Sequence, residues 1–179
     1  MTFVPSSRSI LYSLAEARAG WFRAADAVAA GVSRQQLSRF AATGVVQRSA
    51  HGVYRLREFP AQPFEDVIEV CLWAGLEARA SYGTALAIFG IGDVMPSTTH
   101  ITVPRRLRKR RPGVTAHVAH VDAREQTVRE GVQLTSIGRT LRDVTPTVPA
   151  AVAVALIDDA KRKGLLRKTG HDFAPQTHP

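Results

Sequence analysis

The stretch Arg23-Ala-Ala-Asp-Ala-Val-Ala-Ala-Gly-Val-Ser-Arg-Gln-Gln-Leu-Ser-Arg-Phe-Ala-Ala-Thr-Gly44 decides the architecture of the front of this chain. Its spacing predicts a short Ala-rich helix that stops at Gly31, the residue type that accepts a left-handed backbone past a helix end. Ser33 then offers an N-cap oxygen to a second helix. Ala27 is small enough for the two helices to approach, and Leu37 and Phe40 turn back toward a core. This is the pattern of a helix-turn-helix, whose second helix enters a DNA major groove. At about 100° per residue, Leu37, Phe40 and Ala41 share one side of that helix. Gln35 and Arg39 lie roughly opposite, with Gln36 on a flank and Arg34 at the first-turn edge. Gln pairs with adenine and Arg with guanine in bidentate fashion, although an ordinary solvated helix also carries both residue types.

The flanking sequence strengthens the reading. Val45-Val-Gln-Arg48 has strand character, Ser49-Ala-His-Gly52 reads as a turn, and Val53-Tyr-Arg-Leu56 as the returning strand. A hairpin directly behind a recognition helix is a wing, whose Arg48, Ser49, His51 and Arg55 are placed to reach phosphates or the minor groove. Upstream, Ser9 to Arg18 reads as a helix with Ile10, Leu11 and Leu14 as its apolar positions, and Trp21 and Phe22 as a short strand pairing with the wing. The expected fold class is α+β: an N-terminal winged helix-turn-helix over residues 1–60, then a small mixed α/β C-terminal domain over 61–168. A disordered tail is expected over 169–179.

Composition agrees with a polyanionic partner. The 179 residues carry a formal net charge of +9, with a sequence pI near 10.8, and both halves are basic. The single Cys71, in an apolar helical run, excludes an internal disulfide and fits a reducing cytosol. No apolar run reaches the roughly 20 residues of a membrane span, and the amino terminus lacks the order of a secretory signal. No membrane partner and a cytoplasmic location are therefore expected.

In the second half, Arg57 to Pro63 has linker character. Phe64 to Leu76 reads as an amphipathic helix with Phe64, Val67, Ile68, Cys71 and Leu72 on its buried stripe. Ser81 opens a helix that ends at Gly90. Thr98 to Val103, Val114 to Val121 and Val132 to Thr135 read as strands. A helix capped at Ser136 carries Ile137, Leu141 and Val144, and a last helix spans Pro149 to Lys163. Between the first two strands lies Arg105-Arg-Leu-Arg-Lys-Arg-Arg111, six of whose seven residues are basic. As a hairpin tip, its Arg105, Arg106, Arg108, Lys109, Arg110 and Arg111 could grip a nucleic-acid backbone. A solvated loop and an acidic protein partner are the other readings.

Catalytic constellations are absent from the sequence: no Gly-x-Ser-x-Gly elbow, no Walker A loop, no His-Glu-x-x-His helix. His117 and His120 have odd spacing on an expected strand, which sends them to opposite faces, so no metal site and no cofactor are expected. Glu65, Asp66 and Glu69 suit a solvated helix start, and Asp122 and Glu125 lack a following Glu-x-Lys. Asp158 and Asp159 are placed to pair with Lys161 to Lys163 along one helix. The chain is read as a non-enzyme.

The order of these pieces resembles the AbiEi family of antitoxins from type IV toxin–antitoxin systems. The resemblance is carried by Gly31-Val-Ser-Arg-Gln-Gln-Leu37, Gly44-Val-Val46, His51-Gly-Val-Tyr-Arg-Leu56, Ser81-Tyr-Gly-Thr-Ala-Leu-Ala-Ile-Phe-Gly90, Ile101-Thr-Val-Pro104 and Thr135-Ser-Ile-Gly-Arg-Thr-Leu-Arg-Asp143. It implies a winged helix that represses its own toxin–antitoxin operon by binding double-stranded promoter DNA. It also implies a C-terminal domain that counters a co-encoded nucleotidyltransferase-like toxin. The matching DNA-facing positions are Arg34, Gln35, Gln36 and Arg39, with Arg48 and Arg55 in the wing; Ser33, at the start of the same helix, is also expected to contact DNA. A free-standing winged-helix regulator and a small metal-dependent nuclease are the competing readings.

Overall fold

The computed structural model describes residues 6–166. They fall into two compact units, the first running up to Leu76 and adding Glu130–Val132, the second holding the remainder. The expected tail over 169–179 lies outside the described residues.

The first unit contains α1 (Ser7–Glu16), β1 (Trp21–Arg23), α2 (Ala24–Ala29), α3 (Arg34–Ala42), β2 (Val46–Ala50), β3 (Val53–Leu56) and α4 (Glu65–Ala74). Gly31, at φ +97°, makes the turn between α2 and α3, a backbone shape that strains any L side chain. Leu11, Ala15, Phe22, Ala27, Val32, Leu37, Val46 and Leu56 form the buried core, with Phe40 and Tyr54 packed at its margin. The three strands are antiparallel in the order β1-β3-β2. The turn of the wing is tighter than its sequence suggests. Ser49 and Ala50 continue β2 across a register shift, so only His51 and Gly52 connect the strands.

Strand alternation divides this small sheet into two faces. Phe22 stands opposite Tyr54, and Val46 opposite Leu56, and all four face the helical core. Trp21 and Arg55 are paired in register on the reverse side. Helix α4 packs against all three strands. The expected boundary at residues 60 and 61 is therefore moved: α4 belongs with the winged helix, and the seam comes after Leu76. Its expected one-sided stripe is also too narrow. Val67, Ile68, Glu69, Val70, Cys71 and Leu72 are all buried, whereas Phe64 is only half-buried, at the left-handed N-cap position.

The second unit comprises β4 (Arg79–Ala80), α5 (Tyr82–Phe89), β5 (Thr99–Val103), β6 (Val114–Val118), β7 (Gln126–Arg129), α6 (Ile137–Val144) and α7 (Ala150–Arg162), with β8 (Val132–Thr135) completing its sheet. The five strands run in the order β6-β5-β4-β8-β7. Ser136 caps α6 by accepting from the Arg139 amide at 3.3 Å, and Pro149 stands at the N-cap of α7, one place earlier than expected. Asp158 and Asp159 pair with Lys161, Arg162 and Lys163.

One expectation fails in an informative way. Strands β5 and β6 are parallel, Thr99 aligned with Val114 and Val103 with Val118, so the basic run cannot be a hairpin tip. A parallel pair needs a connection that returns along the full strand length. Residues 104–113 make that return without a helix. Strand β6 also stops at Val118, leaving His120 outside it. Among the described residues, no helix is long and apolar enough to cross a membrane.

Candidate nucleic-acid interface

Helix α3 is built around its cap. Ser33 Oγ accepts from the Gln36 amide at 3.1 Å, and Gln36 Oε1 accepts in return from the Ser33 amide at 2.8 Å. This reciprocal box satisfies two of the orphan donors at a helix start. The other end of the same side chain, Gln36 Nε2, donates to Ser7 Oγ at 2.9 Å and ties α3 to the first turn of α1. Both polar ends of Gln36 are thus engaged within the domain, and Ser33 Oγ is engaged with it. Within the domain, Ser33 and Gln36 fix the start of α3 and its tie to α1.

What α3 presents is Arg34, Gln35 and Arg39. All three are exposed, and among the described residues none has a hydrogen bond or ion pair through its side chain. Leu37, on the opposite side, is 2% exposed. Thr43 Oγ1 donates to the carbonyls of Arg39 and Phe40 and closes the last turn.

In the wing the expected residues separate. Arg48 stands opposite Tyr54, which puts it on the helix side of the sheet. Arg48, Ser49 and His51 are exposed at the hairpin end. Arg55 goes the other way. It donates to Phe59 O at 3.0 Å, to Pro60 O at 3.1 Å and to Glu65 Oε1 at 2.7 Å. Its guanidinium fastens the segment after the wing to the start of α4. The reason is strand parity: Arg55 follows Tyr54, so its side chain leaves the sheet on the reverse side. Glu65 is held by this contact and by the Gln62 amide at 3.0 Å.

The second unit holds two further groups of polar side chains. In the return connection, Arg105, Arg106, Arg108, Lys109 and Arg110 are exposed, while Arg111 is half-buried. On the adjoining strands, His100 Nδ1 and His117 Nε2 share a hydrogen bond of 3.0 Å. Tyr82 stacks on His117 with ring centroids 3.7 Å apart and 17° between planes, while His117 and His100 lie edge to edge, nearly coplanar, with centroids 5.3 Å apart. Thr98 Oγ1 bridges His100 Nε2 and Thr115 Oγ1. Burial lowers the pKa of both imidazoles below the usual 6.5, His117 further by its neighbour His100. The sequence reading set His117 and His120 on opposite faces of one strand; the partner of His117 is His100, reached across the parallel register.

Behind these rings, Arg139 donates to Asp143 at 2.8 Å and to Glu125 at 2.7 Å, and Arg142 also binds Glu125. Burial holds the Asp143 carboxyl above its ordinary range despite Arg139. Burial also works to raise Glu125, but hydrogen bonds from Arg142 and Arg139 outweigh it and hold it low. Asp122 is engaged by His120 and by the Arg124 guanidinium. Among the described residues, no three His, Cys, Asp or Glu side chains come together as a metal site would require.

Residues 9–57 match the family described as "Transcriptional regulator, AbiEi antitoxin". The matched segment is the helix-turn-helix with its wing, so the front of the chain is similar to AbiEi regulators. No curated protein matches the chain.

Proposed function

We propose that a chain with this AbiEi-type front end acts as the DNA-binding antitoxin of its own operon, repressing that operon and countering a co-encoded nucleotidyltransferase-like toxin. The observation that carries the reading is the exposed, unpaired set Arg34, Gln35 and Arg39 on a helix whose cap is locked by Ser33 and Gln36. Arg39 and Gln35 read base edges in the major groove. Arg48, Ser49 and His51 hold the neighbouring backbone and carry no sequence information. The cations of residues 105–111 add phosphate contacts that depend on salt and not on sequence.

In this reading the chain is not an enzyme, works in the cytoplasm and needs no cofactor. The matched family, one of regulators and antitoxins, supports that. The nuclease alternative gains nothing from Glu65 or Asp122, each engaged by an arginine. A free-standing regulator would share the front end and lack the toxin.

The test is a mobility-shift titration on the upstream DNA of the gene against scrambled DNA at several salt concentrations. Preference for the upstream DNA supports the reading; equal affinity for both contradicts it. Co-expression with the neighbouring nucleotidyltransferase-like protein, if one is encoded, separates antitoxin from free-standing regulator. Rescue of growth is the antitoxin result.

A further inference from the structure

The phosphate-facing role given to residues 105–111 leaves the ring cluster beside them without a task. The two features share the same strands. Val103, where the return connection begins, lies three residues beyond His100, and Val114, where it ends, lies three residues before His117. Three strand residues span roughly 10 Å, so both anchors of the cationic run sit within one or two nucleotides of the rings. Tyr82 lies face to face on His117, and His100 extends the His117 ring edge to edge in nearly the same plane. Each of the three keeps part of its surface exposed. Tyr82 is held at φ +50°, an uncommon backbone for an aromatic residue.

Flat rings next to an exposed run of cations are the two components of sites for unpaired nucleic acid. The cations alone would accept a duplex equally well. The rings would not, because the base faces of a duplex are already stacked. We propose that this face of the second unit binds a single-stranded nucleic acid. An unpaired base stacks on the Tyr82–His117–His100 rings while its flanking phosphates lie along Arg105, Arg106, Arg108, Lys109 and Arg110. The inference rests on reading that run as a phosphate contact. Nothing in the ring set selects ribose or deoxyribose, so unpaired RNA and unpaired DNA share the chemistry.

The test uses fluorescence anisotropy of the full chain with a labelled strand of about twelve nucleotides, within the range of known single-strand sites. The strand is made as RNA, as DNA, as a DNA backbone with abasic positions, and as a duplex. The unmodified protein binds an intact strand roughly 5- to 150-fold more tightly than the abasic one, the span of a single base–aromatic stack. RNA binding more tightly than DNA, or the reverse, identifies the source. Tyr82→Leu closes the gap between intact and abasic strands, and Tyr82→Phe preserves it. Equal affinity for intact and abasic strands overturns the proposal without needing any variant to fold. A gap abolished by Arg39→Ala also overturns it, because the site would then be on the winged helix. A separate failure is readable too. If Arg105, Arg106, Arg108 and Lys109 are all changed to Gln and no nucleic-acid affinity moves, the phosphate reading of the run falls first.

Discussion

The two units of this molecule use arginine for opposite purposes. On the winged helix, Arg34, Arg39 and Arg48 project into solvent with no partner among the described residues. In the second unit, Arg139 and Arg142 are closed around Glu125 and Asp143. The first set is available to a polyanion; the second holds α6 against the segment that carries Glu125. Arg55 shows that position in sequence does not decide which kind an arginine is. It lies within the wing, yet strand parity sends it to Glu65 and the carbonyls of Phe59 and Pro60. An unpaired surface cation is recognised by what it does not touch.

The contrast is broken most strongly at Arg139. Its side chain is 10% exposed, against 16% for Glu125 and 13% for Asp143. Arg139→Leu strands the Asp143 carboxyl in a half-dry site, leaves Glu125 to Arg142 alone and costs roughly 3 kcal/mol, at the low end for removing one partner of a buried pair. Urea denaturation followed by circular dichroism measures the loss. If stability is unchanged, these arginines are no more structural than those of the winged helix.

Arg39→Ala gives the mirror result. It lowers operator affinity by about 1–3 kcal/mol and relaxes preference at one base position, while stability moves by less than about 0.5 kcal/mol. Binding-site selection with the variant measures both the affinity and the lost preference.

Gln36→Ala tests the boundary between the two kinds of residue. Loss of the capping box and of the tie to Ser7 costs about 1 kcal/mol of stability. Operator affinity falls uniformly, with no change in preferred bases. A changed base preference would return Gln36 to the reading set.

The smallest expected effect is a pH dependence in the second unit. The shared hydrogen bond of His100 and His117 needs one nitrogen to donate and the other to accept, which fails when both rings are charged. Their folded pKa values lie below 6.5, so the unfolded chain takes up protons first. The stabilisation is complete above that pH and is lost as pH falls through the folded values. Tyr82 and Asp143 face the same rings, with Arg139 behind them. Urea midpoints taken at about pH 7.5 and pH 5 should differ less in a His100→Gln, His117→Gln double variant than in the parent.

Legibility followed the locality of the signals. The helix-turn-helix was readable because Gly31, Ser33 and Leu37 act on neighbours within one or two turns. The strand β1 was readable from Trp21-Phe22 themselves, and its pairing with the wing, Trp21 against Arg55, from the order of the elements and not from a local signal. The role of Gln36 was half-legible: Ser-x-x-Gln is a capping-box spacing, but the bond to Ser7 crosses 29 positions. The direction of Arg55 is contained in the alternation along Val53-Tyr-Arg-Leu56, but its partners are not legible, because nothing local says that α4 covers the reverse face. The second unit was legible as elements and not as topology. A parallel β5–β6 pair and a return connection leave the same local composition as a hairpin, and the His100–His117 contact exists only through that register.

The most direct test sets two arginines of the first unit against each other. Arg39→Ala and Arg55→Ala are titrated on the upstream DNA in parallel, with folding of each checked by circular dichroism. The account predicts loss of sequence-specific binding for Arg39→Ala. For Arg55→Ala it predicts lowered stability with the operator affinity of the folded protein retained. A well-folded Arg55→Ala that loses binding as Arg39→Ala does, or an Arg39→Ala that binds like the parent, would contradict it.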